Sequence, residues 1–186
     1  TTDVTPSRVT AEVVSVEEVA APTPRVTVVQ AVPKGERAEL AVDLAVQGGA
    51  DAIVPWISHR TIARWPANKQ AKQVQKWRDQ AVASAKQARR AWVPEVGELV
   101  TTNQLAEMLR GFEGHALVLH EDATESIRDV TFDRDVMLIV GPEGGIGADE
   151  LELIGGRAVK LGPEVLRTAS AAFAALCAIG ALSARW

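Results

Sequence analysis

From residue 25 onward, short apolar runs alternate with segments whose apolar positions recur at three- and four-residue spacing. The first complete repeat predicts a strand at 26–32, a helix at 36–47 and a strand at 51–55. Parallel strands need such helical crossovers, and the helices then cover both faces of the sheet. The sequence therefore predicts an α/β domain in which a parallel sheet carries helices on both faces.

The rest of the chain continues this alternation. We predict, in order, a helix at 68–91, a strand at 96–100, a helix at 103–109, strands at 116–120 and 136–140, a helix at 149–154, a strand at 158–161 and a helix at 169–184. The last helix is small and apolar all round, so we expect it to pack against its own domain and a second subunit. Before residue 25 one or two short strands are predicted, at 9–16, which is too little for a domain.

Charge is distributed unevenly along the chain. The net charge of −4 alone argues against a nucleic-acid partner. Between Trp56 and Pro94, however, nine basic residues accompany one acid, Asp79, so this segment is +8 and the remainder −12. A solvated helix face is the alternative interpretation of this segment. However, the segment lacks the acids that would pair with its basic residues four positions away, and it contains four tryptophans on which bases could stack. Both features favour RNA binding. The predicted RNA contacts are Arg60, Arg64, Lys69, Lys72, Lys76, Lys86 and Arg89.

Neither a metal site nor a disulfide is predicted, because Cys177 is the single cysteine and the three histidines lack metal-ligand spacing. The longest apolar stretch, 169–182, is shorter than the roughly 20 residues of a membrane helix. The chain starts with Thr-Thr-Asp and shows no secretory signal. We therefore expect a cytoplasmic protein that has been cut from a longer chain.

Two glycine loops follow predicted strands. The first, Gly141-Pro142-Glu143-Gly144-Gly145, matches neither known phosphate-loop spacing. Glu143 and two acids in the next helix, Asp149 and Glu150, oppose an anion there. A tight turn is the alternative, but a neutral or cationic nucleoside such as S-adenosylmethionine fits the charges. The second loop, at 161–168, again joins a strand to a helix, so the two loops together predict one pocket.

Residues 138–145 and 161–168 together resemble the paired cofactor loops of the SPOUT-superfamily methyltransferases. The match is specific for the ribosomal RNA small subunit methyltransferase E family, which methylates N3 of a specific uridine in 16S rRNA. Similar segments at 33–55, 87–94 and 119–121 extend the resemblance over most of the chain, in a form typical of actinobacteria. Ala169 stands where the family commonly has Glu, so a carboxylate is absent there.

The resemblance implies a C-terminal deep trefoil knot, a homodimer, S-adenosyl-L-methionine as cofactor and 16S rRNA in the small ribosomal subunit as partner. Residues 1–24 then correspond to the tail of an N-terminal PUA-like RNA-binding domain, and 25–186 to the methyltransferase domain. The implied cofactor contacts are Leu119, His120, Glu121, Gly141, Pro142, Glu143, Gly144, Gly145, Leu161, Gly162, Leu166 and Arg167.

Arg90 matches the family's Gln-x-x-Arg and is the predicted catalytic residue, facing the cofactor from its own or the other subunit. It would bind the uracil, or only its phosphate. Glu143 and Glu121 are candidate proton acceptors that could equally bond backbone amides or the cofactor. Two further functions stay open at this point: a cofactor-free RNA-binding module, and a SPOUT enzyme acting on another RNA nucleoside.

Overall fold

The computed structural model describes residues 3–35 and 37–186. Near the N-terminus, β1 (Asp3–Thr5) and β2 (Arg8–Thr10) form a small antiparallel hairpin. The predicted strand at 9–16 is wrong beyond Thr10, because residues 11–22 form no helix or strand within the described chain. Apolar residues of this segment, such as Val14, are exposed, since no neighbouring strand covers them.

The remaining elements follow the predicted alternation. They are β3 (Val26–Ala31), α1 (Arg37–Gln47), β4 (Ala52–Ile57), α2 (Ala67–Gln87), β5 (Glu95–Val96), β6 (Val100–Thr101), α3 (Thr102–Arg110), β7 (His115–Leu119), β8 (Val136–Val140), α4 (Ala148–Ile154), β9 (Arg157–Val159) and α5 (Thr168–Leu182). The strand predicted at 96–100 is two short strands. The helix predicted to reach residue 91 ends earlier, and Arg89 just beyond it has a left-handed φ of 52°.

Strands β3 to β9 form one sheet in the order β5-β4-β3-β8-β7-β9, with β6 beside β4. Every pairing in this sheet is parallel. Successive side chains of a strand point to opposite faces, so Val28 packs with α1, α2 and α5, whereas Val29 packs with α3 and α4. The predicted fold class, a parallel sheet with helices on both faces, is confirmed.

The C-terminal helix α5 packs against α1 at short distance. A Cβ atom at Gly48, which follows α1, would lie 3.0 Å from the Cβ of Leu176. One stripe of α5, including Ala175 and Ile179, is fully buried, whereas Phe173 and Cys177 are half-buried and Leu182 is exposed. Burial raises the pKa of the Cys177 thiol. Helix α5 is thus buried on one side within a single chain, and none of the helices in the described residues is long and apolar enough to cross a membrane.

A buried ionic cluster joins the two ends of the domain. The side chain of Asp51, 10% exposed, lies between Arg185 and Arg90. Arg185 donates to Asp51 Oδ2 at 2.8 Å, to the carbonyl of Gly49 at 2.6 Å and to the carbonyl of Pro24. The cluster fixes the chain after α5 to the start of the sheet.

Candidate active site

Three neighbouring strands, β8, β7 and β9, end at the same edge of the sheet, and their following loops enclose a cavity of about 550 Å³. Parallel strands all end on one side, and open α/β sheets bind ligands there. The volume lies within the range of roughly 300–1,000 Å³ that is usual for small-molecule sites. The cavity is therefore the candidate active site.

The structure brings the predicted cofactor residues together. Lining the cavity are all twelve of them, namely Leu119, His120, Glu121, Gly141, Pro142, Glu143, Gly144, Gly145, Leu161, Gly162, Leu166 and Arg167. The sequence interpretation did not place Arg37, Arg60 or Lys160 in this cavity, although each lines it. Arg60 follows β4, a strand whose end had no glycine signal, and was predicted only as an RNA contact.

The first glycine loop is shaped by its glycines. Gly145 has a φ of 69°, a left-handed value that glycine adopts without a Cβ penalty, and its N–H donates to the carbonyl of Pro142 at 2.9 Å. A Cβ atom at Gly141 would lie 2.8 Å from Cγ1 of Ile146. The loop therefore folds back on itself and exposes backbone groups to the cavity.

The polar side chains of the cavity have defined partners. Glu143 accepts the backbone N–H of Lys34 at 3.2 Å, which ties the loop after β3 to the glycine loop. His120 accepts the N–H of Asp122 at Nδ1, and its Nε2 lies 3.3 Å from the carbonyl of Ile146. Both ring nitrogens are thus occupied, which leaves no free basic nitrogen. Glu121 is exposed at the cavity rim.

Asp149 and Glu150 were both expected to oppose an anion at the glycine loop, but Glu150 has a structural role instead. Asp149 is exposed, whereas Glu150 is fully buried and does not line the cavity. Its Oε1 accepts the N–H of His59 at 2.8 Å and the hydroxyl of Thr102 at 2.6 Å. Glu150 therefore connects helix α4 with the segment after β4 and with the start of α3.

Comparisons with known proteins agree with this geometry. Residues 20–180 match the family model described as an RNA methyltransferase domain. The chain belongs to this family. It is 46% identical over 171 residues to ribosomal RNA small subunit methyltransferase E of Mycobacterium tuberculosis, covering 88% of this chain and 65% of that protein. The Bacillus subtilis protein of the same name is 26% identical, with 83% and 65% covered.

Two solved structures are similar to this RNA methyltransferase domain. A methyltransferase from Legionella pneumophila, in complex with S-adenosylmethionine, is 32% identical with a TM-score of 0.77 and covers 84% of this chain and 66% of its own. The small subunit methyltransferase E of Neisseria gonorrhoeae, bound to the same compound, is 26% identical with a TM-score of 0.80 and coverages of 88% and 68%. The chain spans about two thirds of the length of the relatives it matches.

The position of Arg90 does not support catalysis in its own chain. Its side chain is 14% exposed, and the guanidinium donates to the carbonyls of Val46 at 3.0 Å and Ala50 at 2.6 Å and lies 3.6 Å from Asp51. It does not line the cavity. Burial lowers the pKa of this guanidinium, with an opposing effect of Asp51. The prediction that Arg90 faces the cofactor within its own subunit is therefore corrected: the residue joins α1 to β4.

Replacing Arg90 with alanine is expected to lower the free energy of unfolding by about 1–3 kcal/mol, because the buried carbonyl of Ala50 loses its donor and that of Val46 keeps only the N–H of Gly49. Urea unfolding followed by circular dichroism would measure this. Replacement of the neighbouring, exposed Arg89 is the matched control and should leave stability unchanged within about 0.5 kcal/mol. A stability of Arg90→Ala equal to that of the control would contradict the structural role.

The basic segment forms the outer surface of this methyltransferase domain. Arg78 is engaged, since it donates to Glu98 at 2.6 Å, and Arg90 points inward. The predicted RNA contacts are all exposed: Arg60, Arg64, Lys69, Lys72, Lys76, Lys86 and Arg89. The four lysines fall within about a third of the circumference of α2, opposite its buried face. We call these four residues the lysine stripe.

The interleaved tryptophans do not form a stacking surface. Trp56 and Trp77 are fully buried. Trp65 is half-buried and contacts Trp77 edge-on, with ring centroids 5.5 Å apart. Trp92 is 48% exposed. Trp77 is in the core, as its position on the apolar face of the predicted helix indicates. The expected stacking role of Trp56 and Trp65 is wrong, because Trp56 is buried and Trp65 packs against Trp77.

Proposed function

We propose that this chain is the catalytic domain of an S-adenosylmethionine-dependent methyltransferase that acts on N3 of a specific uridine in 16S rRNA. The observation that carries the proposal is the cavity after β7, β8 and β9, which all twelve predicted cofactor residues line. The similarity to rRNA small subunit methyltransferases E, one of them solved with bound S-adenosylmethionine, supports it.

The residues of the cavity fit this cofactor. S-adenosylmethionine supplies, when bound, an electrophilic methyl group on a sulfonium, and it carries no phosphate. The acids Glu121 and Glu164 at the cavity suit its positive charges, while Arg37 and Arg167 suit a carboxylate. Leu161 and Leu166 offer apolar surface, and the loop backbone offers hydrogen-bonding groups for a nucleoside.

Isothermal calorimetry with S-adenosylmethionine tests the proposal. We expect saturable binding with one site per chain, and transfer of a labelled methyl group to small ribosomal subunits that lack the modification. Mass spectrometry of the RNA would identify the methylated atom. Binding of RNA without any binding of the cofactor would instead support a cofactor-free RNA-binding module. Methylation at a different base would support an enzyme for another RNA nucleoside.

The proposal includes several properties implied by the family resemblance. These are a cytoplasmic location, a C-terminal trefoil knot, a homodimer and a PUA-like RNA-binding origin for residues 1–24. The half-buried stripe of α5 around Phe173 and Cys177 is apolar and supports a second subunit at that helix. Action of Arg90 on the cavity of that second subunit belongs to the same proposal. Sedimentation equilibrium would measure the oligomeric state.

RNA binding is expected to depend on the lysine stripe. Changing Lys69, Lys72 and Lys76 to glutamine should reduce the slope of log affinity against log salt by about 2–3, because each phosphate contact contributes roughly 0.7–0.9. Filter binding of small-subunit RNA at several salt concentrations measures this slope. The control changes Arg110, Arg128 and Arg134, exposed residues outside α2, to glutamine. Equal slopes for both triple variants would argue against a role of the stripe.

A further inference from the structure

Arg60 packs against the glycine loop with both its backbone and its side chain. Its Nη1 donates to the carbonyl of Gly144 at 3.3 Å. A Cβ atom at Gly144 would lie 3.3 Å from the Cβ and the carbonyl oxygen of Arg60, and one at Gly147 would lie 3.1 Å from Nη2. Absence of side chains at these two glycines therefore allows Arg60 to approach the loop and to line the cavity.

The segment that carries Arg60 is held in place by the buried carboxylate of Glu150 in α4. Glu150 accepts the N–H of His59, the residue before Arg60, and the hydroxyl of Thr102, which lies 3.3 Å from Nε1 of Trp56. Burying a carboxylate is costly unless it is hydrogen-bonded. Here the carboxylate links three separate elements, of which α4 directly follows the glycine loop. The backbone of residue 59 is thus held to the same helix that the loop begins.

Arg60 differs from the other cations of the cavity in having a hydrogen-bonded side chain. Within residues 3–35 and 37–186, the side chains of Arg37, Lys160 and Arg167 form no hydrogen bond or ion pair. Among these four cations of the cavity, only Arg60 has a side-chain hydrogen bond in the part of the chain that the structure describes, and the neighbouring backbone N–H of His59 is bound by Glu150. Arg60 also belongs to the exposed basic surface. A preorganised cation is more effective than a mobile one in stabilising charge that develops during a reaction.

We infer that Arg60 contacts the nucleobase that is to be methylated and stabilises its negative charge, and that Glu150 is the positioning residue for Arg60. The inference rests on the proposed function. A uracil N3 becomes nucleophilic when its N–H bond breaks and the proton passes to water, and the electron pair then spreads onto the two carbonyl oxygens. An arginine is always protonated and offers a fixed fork of N–H donors to such an oxygen.

Arg60→Ala and Arg60→Lys test the first part. In single-turnover methylation of small ribosomal subunits, the alanine variant is expected to lose about 100-fold in rate, as for removal of an oxyanion-hole donor. The pH of half-maximal rate should rise by about one unit, because N3 of the uracil loses its proton less readily without the positive charge of Arg60. The lysine variant keeps the charge and should shift the pH profile less. Arg110→Ala, an exposed arginine outside the cavity, is the control.

Glu150→Gln and Glu150→Leu test the second part. Glutamine keeps an acceptor for His59 and Thr102, so its rate and pH profile should approach those of the wild type. Leucine removes the acceptor, and amide hydrogen exchange at His59 should become faster together with a lower rate at saturating RNA. Where the leucine variant does not fold, Thr102→Val takes its place, because it removes the hydroxyl that donates to Glu150. Exchange at His59 should then be faster than in the wild type, and unchanged exchange would overturn the positioning role.

The outcomes separate this inference from the proposed function. A wild-type protein that neither binds S-adenosylmethionine nor methylates RNA overturns the proposed function and the inference with it. An active wild type whose Arg60→Ala variant only needs more RNA to reach half of its single-turnover rate, with the rate at saturating RNA and the pH profile unchanged, overturns the inference alone, because Arg60 would then contact phosphate. Unchanged exchange at His59 in Glu150→Leu overturns the positioning role.

Discussion

Replacing Asp51 with alanine is expected to lower the free energy of unfolding by about 3–5 kcal/mol, the range found when one partner of a buried ion pair is removed. Asp51 accepts from Arg185 at 2.8 Å and from the N–H of Val26 at 2.8 Å, and Arg90 lies 3.6 Å away. Without the carboxylate, two largely buried guanidinium groups face each other with no counter-charge. The start of β3 also loses an acceptor.

Urea unfolding of the wild type and Asp51→Ala at the same pH measures this difference. The matched control removes an exposed pair: Glu95→Ala breaks the 3.6 Å contact with Arg25, in which both side chains are more than half exposed. That change should cost less than about 1 kcal/mol. A loss for Asp51→Ala no larger than that of the control would contradict the view that this cluster fixes the two ends of the domain.

The fold was largely predictable because its strands are buried on both faces. Such strands appear in a sequence as continuous apolar runs, and β8 has the predicted bounds of 136–140. The alternation with helices then determined the parallel sheet. Once the sheet is parallel, loops that follow adjacent strands meet at one edge, which is why the residues of three distant segments line one cavity.

Charged residues with distant partners were not predictable in this way. Arg90 and Glu150 have the appearance of surface or site residues in the sequence, yet each is held by groups from other elements. Hydrophobic periodicity reports which face of an element is buried, and it contains no information about which polar groups meet inside. Arg60 was placed on the RNA surface by charge alone, whereas its position at the cavity depends on the path of the loop after β4.

The strand predicted at 9–16 shows another limit. Its alternation of valines with polar residues suits a half-buried strand, but a strand needs a neighbour for its backbone groups. In the structure the pairing of β2 with β1 ends at Thr10, and Val13, Val14 and Val16 are exposed. The local pattern predicted a preference for extended backbone at 9–16. A neighbouring strand that would pair with residues beyond Thr10 is not found in the described residues.

Gly145→Val is expected to weaken binding of S-adenosylmethionine by about 10- to 100-fold, which corresponds to a backbone strain of roughly 1–3 kcal/mol. No atom lies within 4 Å of a Cβ placed at Gly145, so steric exclusion within the chain is not the reason. The cost comes from the φ of 69°, which a β-branched residue rarely adopts. The loop can relieve this strain by leaving its folded-back conformation, and binding must then restore it.

Gly155 offers a matched control, because its φ is 70°, its Cβ position is equally open and it lies at the end of α4, outside the cavity. Gly155→Val should lower the free energy of unfolding by a similar amount, about 1–3 kcal/mol, without changing the calorimetric affinity. Equal losses of affinity in both variants would assign the effect to general destabilisation. Retained affinity in Gly145→Val would show that the conformation of this loop does not determine cofactor binding.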